Sequence, residues 1–163
     1  MSEGDAGKAR QSRRPTLPVD DSIFFKLVRV VNLTARPFSE SIGKAHQLSL
    51  NEWRVLLVLA NHPQIVASEV AAITGLDKMT VSRAIAALER RGRVLRKVDA
   101  GDRRRMLLRL SATGARLYER IGVPAKARER SLFRGIGDAD QERLSLLLDR
   151  LVDNLLAADS SDA

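Results

Sequence analysis

Two short helical patterns separated by a glycine turn constrain this chain more than any other feature. Over residues 68–74, Val70, Ala71 and Ile73 mark the apolar side of a short helix, and Gly75 follows where a helix can end in the left-handed region. Asp77 then stands at an N-cap position before KMTVSRAIAALERRG. In that run Val81, Ile85 (or Ala84) and Leu88 recur at helical spacing, and Gly92 closes it. Two helices joined by so tight a turn form a helix-turn-helix. The next stretch, RVLRKVDAGDRRRMLLRL, changes period from helical to two. Val94, Arg96 and Val98 alternate with Arg93, Leu95 and Lys97, and Met106, Leu108 and Leu110 alternate with Leu107 and Arg109. DAGD between them is turn chemistry. The stretch reads as a β-hairpin wing with Arg103, Arg104 and Arg105 at its tip.

The flanks are helical as well. From Asp20 to about Ala45, Phe24, Leu27, Val28, Val31, Ala35, Phe38 and Ile42 follow one helix face, with Pro37 as the expected site of a kink. In SLNE, Ser49 and Glu52 fit a capping box, opening a helix that carries Trp53, Leu56, Leu57 and Ala60. Ser111 can cap a long helix containing Pro124, where a second kink is expected. Asp138 can cap a last helix in which Leu144, Leu147, Leu148, Leu151 and Leu155 form one stripe. The expected fold class is therefore mainly α with a small β-hairpin wing, an α+β winged helix-turn-helix. It comprises a disordered tail over 1–18, a DNA-binding domain over 49–110, and dimerisation helices over 19–48 and 111–158. Phe24, Leu27, Val28 and Val31, together with Leu144, Leu148, Leu151 and Leu155, are the candidate dimer contacts, since their stripes exceed what a compact winged helix can cover. An intramolecular three-helix cap is the alternative.

Charge says what such a fold would meet. The 163 residues hold 28 Lys or Arg and 20 Asp or Glu, a net +8. Residues 78–109 alone hold eleven bases against three acids, so the whole excess sits in this one stretch and the remainder is balanced. A concentrated patch on an otherwise neutral chain is the footprint of a polyanion site. On the second helix of the motif, Lys78, Thr80, Ser82 and Arg83 are the candidate DNA contacts. Arg can bond a guanine edge bidentately, Ser and Thr take bases or phosphates, and Lys78 with the helix N-terminus suits phosphate. The alternative is that these side chains only face water. Arg90, Arg91, Arg93 and Arg96, at the far end, are as well suited to surface ion pairs.

Two segments then carry a family resemblance that covers about residues 20–157. KMTVSRAIAALERRGRV and DAGDRRRMLLRLSATG resemble the recognition helix and the wing signature of the MarR (multiple antibiotic resistance regulator) family of winged-helix transcription factors. The second signature is spelled here by Asp102, Arg104, Leu110, Ser111 and Gly114. The sequence departs from the pattern at IVASE, where Val66 and Ala67 cannot cap and Ser68 is expected to shift the helix start. It departs again at Ala100, where the family carries proline. The resemblance implies a homodimer on a pseudo-palindromic operator, with helix 78–91 in the major groove and the wing around 99–106 in the minor groove. It implies that Arg104 enters the minor groove with Asp102 pairing its guanidinium, while Arg103 and Arg105 meet phosphates. Contact of all three arginines with phosphate alone is the bland alternative. It also implies a small aromatic or phenolic anion as effector, for which His46, Trp53 and Arg54 are the candidate contacts. Trp53 as plain core and Arg54 as plain surface are the alternatives.

Other function classes lack their residues. There is no Cys, His46 and His62 stand in separate regions, and no glycine-rich phosphate loop or nucleophile motif is present. No enzyme activity, cofactor or metal is expected. No apolar run approaches the roughly 20 residues of a bilayer span, so no membrane partner is expected and a cytoplasmic location is. Double-stranded DNA, a second copy of the chain and a small-molecule effector are the expected partners. The second reading is an effector-independent architectural or protein-partnered DNA-binding protein.

Overall fold

The computed structural model describes residues 19–161; the tail expected over 1–18 lies outside the described residues. The chain divides into two compact units, Met1–Leu50 and Asn51–Ala163. In the first unit, the Ser22 hydroxyl accepts the Phe25 N–H at 3.3 Å and opens α1 (Ile23–Pro37). The helix does not simply kink at Pro37. It widens into a π-helical stretch, Phe38–Gly43, and then tightens into the single turn α2 (Lys44–His46). Proline has no N–H and crowds the preceding turn. The hydroxyls of Ser39 and Ser41 donate to the carbonyls of Ala35 and Pro37, at 3.4 and 2.7 Å. Gln47 then takes a left-handed conformation, and the Leu48 N–H reaches back to the Gly43 carbonyl at 2.9 Å. Phe38, Gly43 and Leu48 are buried, whereas Phe24, Val28 and Val31 are exposed and Leu27 is partly covered.

The second unit holds the winged helix-turn-helix. Helix α3 (Leu50–Asn61) starts directly after Ser49. It buries Val55, Val58 and Leu59 as well as Trp53 and Leu56, while Leu57 and Ala60 are only half-buried. It is covered on more than the one face its stripe implied. Helix α4 (Ala67–Thr74) begins without the shift expected at Ser68. Val66 occupies the cap position, and the Glu69 carboxylate accepts the Val66 N–H at 2.8 Å. Val70 is fully buried, but Ile73, expected on the inner side, is 51% exposed. The inner face passes instead through Val70 and its i+4 neighbour Thr74, whose hydroxyl donates to the Val70 carbonyl. Gly75, at φ +66°, ends the helix. Helix α5 (Lys78–Arg90) buries Val81, Ala84, Ile85, Ala87 and Leu88.

Strands β1 (Val94–Val98) and β2 (Met106–Leu110) form the antiparallel hairpin, with Val94 opposite Leu110 and Val98 opposite Met106. A further bridge joins Ile65 to Leu108: the Leu108 N–H donates to the Ile65 carbonyl at 2.8 Å, and the Gln64 N–H to the Leu108 carbonyl at 2.9 Å. A strand one residue long carries no periodicity, so nothing in the pattern pointed to it. Helix α6 (Ala112–Leu132) runs through Pro124 without interruption. Helix α7 (Asp138–Ser161) has Asp138 as its first residue rather than its cap, because the Gly137 carbonyl takes the first helical bond, from Gln141 N–H. Asp138 and Asp140 instead lie in the first turn, where negative charge suits the helix dipole. Leu144, Leu147, Leu148, Leu151 and Leu155 all remain exposed, Leu155 at 68%. Among the described residues, no helix is long and apolar enough to cross a membrane.

The hairpin is locked to α6 at one point. The Arg93 carbonyl accepts the Ser111 N–H at 3.0 Å, and the Ser111 hydroxyl both donates to the Gly92 carbonyl at 2.6 Å and accepts the Gly114 N–H at 3.0 Å. A Cβ on Gly114 would lie 2.0 Å from the Arg93 carbonyl oxygen. Within a helix, Gly→Ala ordinarily stabilises by about 0.5–1 kcal/mol. At Gly114 the sign reverses: Gly114→Ala is expected to destabilise the fold by about 3 kcal/mol, read as a lower urea midpoint.

Candidate nucleic-acid interface

The exposed face of α5 follows from its buried one. With Val81, Ile85 and Leu88 turned inward, residues near 79, 82, 83 and 86 face outward. Ser82 and Arg83 are exposed there, Lys78 is exposed beside them, and Thr80 is half-buried. Asp77 and Thr80 form a two-bond cap. The Asp77 carboxylate accepts the Thr80 backbone N–H at 2.8 Å and its hydroxyl at 2.5 Å. The Thr80 proton is therefore already used, and of this hydroxyl only acceptor capacity remains for a ligand. The two bonds, the hydroxyl's first, hold the Asp77 carboxyl below its ordinary value of 3.8.

The wing loop is built by aspartates rather than by Gly101, which takes no positive φ. The Asp99 carboxylate accepts the Gly101 N–H at 2.9 Å, and the Asp102 carboxylate accepts the Arg104 N–H at 2.9 Å. The Arg105 N–H donates to the Asp102 carbonyl, and the Asp99 N–H donates to the Arg105 carbonyl at the loop base. These are two successive Asx turns. They correct the expected Asp102–Arg104 ion pair: the carboxylate closes the turn on the arginine's backbone and leaves the guanidinium unpaired. Arg103, Arg104 and Arg105 are all exposed.

Ion pairs divide the basic stretch. Arg91 binds Glu52 of α3 at 3.1 Å, and Arg96 binds Glu89 at 2.7 Å. Arg105 reaches Glu69 of α4 at 3.7 Å. Burial, and then the neighbouring Arg91 charge, push the Arg93 guanidinium below its ordinary range. Among the described residues, Lys78, Arg83, Arg103 and Arg104 take no ion pair. Arg90, Lys97 and Arg109 take none either, so bases without an ion pair stand at both ends of α5, on the hairpin strands and at the wing tip, while Arg91, Arg96 and Arg105 meet carboxylates.

The residues named for an effector fall in both units. Trp53 is buried and stacks on Tyr118, with ring centroids 6.0 Å apart and planes at 26°. The Arg54 guanidinium donates to the Asn51 side-chain carbonyl at 3.2 Å. His46 closes α2 in the first unit. Tyr118 was not singled out in the sequence, since a lone tyrosine on a helix gives no signal of its partner.

A hairpin-bearing helix-turn-helix with this charge distribution can be compared with known proteins. Residues 46–105 match the model of the MarR family, over the helix-turn-helix and the wing tip. Over this segment the chain is similar to MarR family regulators. The homoprotocatechuate degradative operon repressor of Escherichia coli is 24% identical over 118 residues, covering 72% of this chain and 80% of that protein. A MarR/EmrR family transcriptional regulator from Acinetobacter superposes with a TM-score of 0.78 at 24% identity, over 85% of this chain and 98% of its own. CouR from Rhodococcus jostii, whose crystal structure holds p-coumaroyl-CoA, superposes with a TM-score of 0.75 at 25% identity, over 84% of this chain and 96% of its own. The family match and the winged-helix fold support a DNA-binding transcription regulator.

Because the native state holds the Asp77 carboxyl below 3.8, its cap supports the fold above that pH and is lost as pH falls through the native value. Asp77→Ala is therefore expected to melt earlier than the parent at neutral pH, with the two melting temperatures converging in acid. Thr80→Val is expected to return the Asp77 carboxyl toward 3.8, read by carboxyl NMR titration.

Proposed function

We propose that the chain is a homodimeric, sequence-specific repressor that binds a pseudo-palindromic operator and releases it in response to a small aromatic or phenolic anion. Residues 78–91 would enter the major groove and the wing around 99–106 the minor groove. One observation carries this reading: the entire net charge lies within residues 78–109, and Lys78 and Arg83 on α5 and Arg103 and Arg104 at the wing tip are among its bases without an ion pair. Ser82 and Arg83 offer base-edge contacts, Lys78 and Arg103 phosphate contacts. Arg104 suits a narrow A·T-rich minor groove, whose negative potential attracts an unpaired guanidinium.

Support for the dimer is the apolar surface a single chain leaves uncovered. Phe24, Val28 and Val31 on α1 and Leu144, Leu148, Leu151 and Leu155 on α7 are exposed, and Leu27 is partly so. Two copies related by a two-fold axis would cover these residues isologously and set two α5 helices about one DNA turn apart. Repression and an aromatic effector are supported by the Escherichia coli relative, named for a degradative operon it represses, and by CouR with its bound p-coumaroyl-CoA. His46, Trp53 and Arg54 are the residues proposed to meet the anion.

The test is selection of bound fragments from genomic DNA at about 0.15 M salt, where non-specific binding is weak, followed by footprinting. A protected near-palindrome over a promoter, released by a phenolic acid that also changes the fluorescence of the single tryptophan, supports the proposal. Equal binding to all fragments overturns it in favour of an architectural role. On the selected site, Arg103→Ala is expected to lower the salt slope of binding by about one for each wing while leaving sequence preference unchanged. Arg104→Ala is expected to relax the preference for A·T pairs under the wing. Leu148→Asp combined with Leu151→Asp is expected to sediment as a monomer and to bind a full operator no better than a half-site.

A further inference from the structure

We propose that Met79 reads the 5-methyl group of a thymine in each operator half-site, an inference that rests on the DNA-binding reading of α5. Met79 is the second residue of α5 and is 61% exposed. It lies nearly opposite the mean direction of Val81, Ile85 and Leu88 at about 100° per residue, so it stands at the centre of the outward face. Lys78, Ser82 and Arg83 surround it, all exposed. Two turns on, the same line passes through Ala86, whose short side chain lets the helix axis lie close to whatever it faces.

An apolar side chain at the centre of a basic face has few partners there. A thioether donates no hydrogen bond and accepts only weakly, so it gains nothing from phosphate. In the major groove the apolar group on offer is the thymine methyl, which neither cytosine nor the purines present. Met is unbranched and adaptable, and it can cover that methyl while Arg83, one turn along, bonds a neighbouring base pair. Ser82 and Arg83 then specify by hydrogen bonding and Met79 by shape and desolvation.

The experiment replaces each thymine of the selected operator in turn by deoxyuridine, which removes only the methyl, and measures binding by fluorescence anisotropy. For the parent protein, one thymine per half-site is expected to weaken binding about fourfold on replacement, the equivalent of one buried methyl group. Met79→Ala is expected to bind the unmodified operator weaker by a similar factor and to be indifferent to that replacement, with unchanged sensitivity elsewhere. Met79→Leu is expected to keep the sensitivity, and all three proteins to melt alike. Parent binding that ignores every replacement, or a Met79→Ala protein that still responds at the same thymine, overturns the proposal while leaving the operator intact. Failure to select any operator with the parent protein overturns the sequence-specific reading of α5, and this inference with it, before any variant is made.

Discussion

The peptide of Arg93 is where the second unit is held together. Its carbonyl accepts the Ser111 N–H, its surface is pressed by Gly114, and its own N–H donates to the Leu88 carbonyl at 2.8 Å. One residue thus fixes the exit of α5, the root of β1 and the start of α6. A hairpin of two five-residue strands is marginal by itself. Here its base is clamped at Arg93, and its middle is bonded to Gln64 and Ile65 through Leu108. The wing tip is therefore carried on a rigid stem, and the direction of α5 and the reach of the wing are set together.

On this frame, electrostatics is arranged by subtraction. Eleven bases lie between residues 78 and 109, but Arg91, Arg96 and Arg105 meet carboxylates from α3, α5 and α4. Glu52 is the buried member of these pairs, and its link to Arg91 ties α3 to the cap of α5. A half-buried pair of this kind contributes to register more than to stability. Lys78 and Arg83 on α5 and Arg103 and Arg104 at the wing tip are among the bases left without a carboxylate, which keeps positive field on the side where a polyanion would be met.

Much of this was legible in the residues. Helix-turn-helix and hairpin followed from Gly75, Asp77 and the change of period at Val94, because caps, glycine turns and alternation are local signals. What escaped was set by tertiary contact. Ile73 has the right residue type for a core but the wrong angle once Val70 is buried. Val66 is a poor cap whose amide is served from Glu69. The bridge at Ile65 and the stack of Tyr118 on Trp53 need partners distant in sequence. On α5, Lys78, Ser82 and Arg83 were named from chemistry and stand exposed, whereas the central place of Met79 emerges only from the geometry of the buried face. The Asp102 carboxylate was assigned to the Arg104 side chain, yet a short acidic side chain in a loop reaches a nearby amide first.

The pair between Arg105 and Glu69 has a consequence for how the wing would exchange partners. At 3.7 Å and about half exposed on both sides, it is a weak contact, but it gives Arg105 a counterion that belongs to the protein. A phosphate arriving at Arg103 or Arg104 expels small ions into bulk solution, and their dilution drives the association. A phosphate arriving at Arg105 displaces Glu69 instead, and a tethered carboxylate gains little freedom when let go. The same carboxylate also accepts the Val66 N–H at the start of α4. Glu69 thus has two partners, Arg105 of the wing and the amide at the start of α4, and a phosphate that took Arg105 would leave it with the second alone.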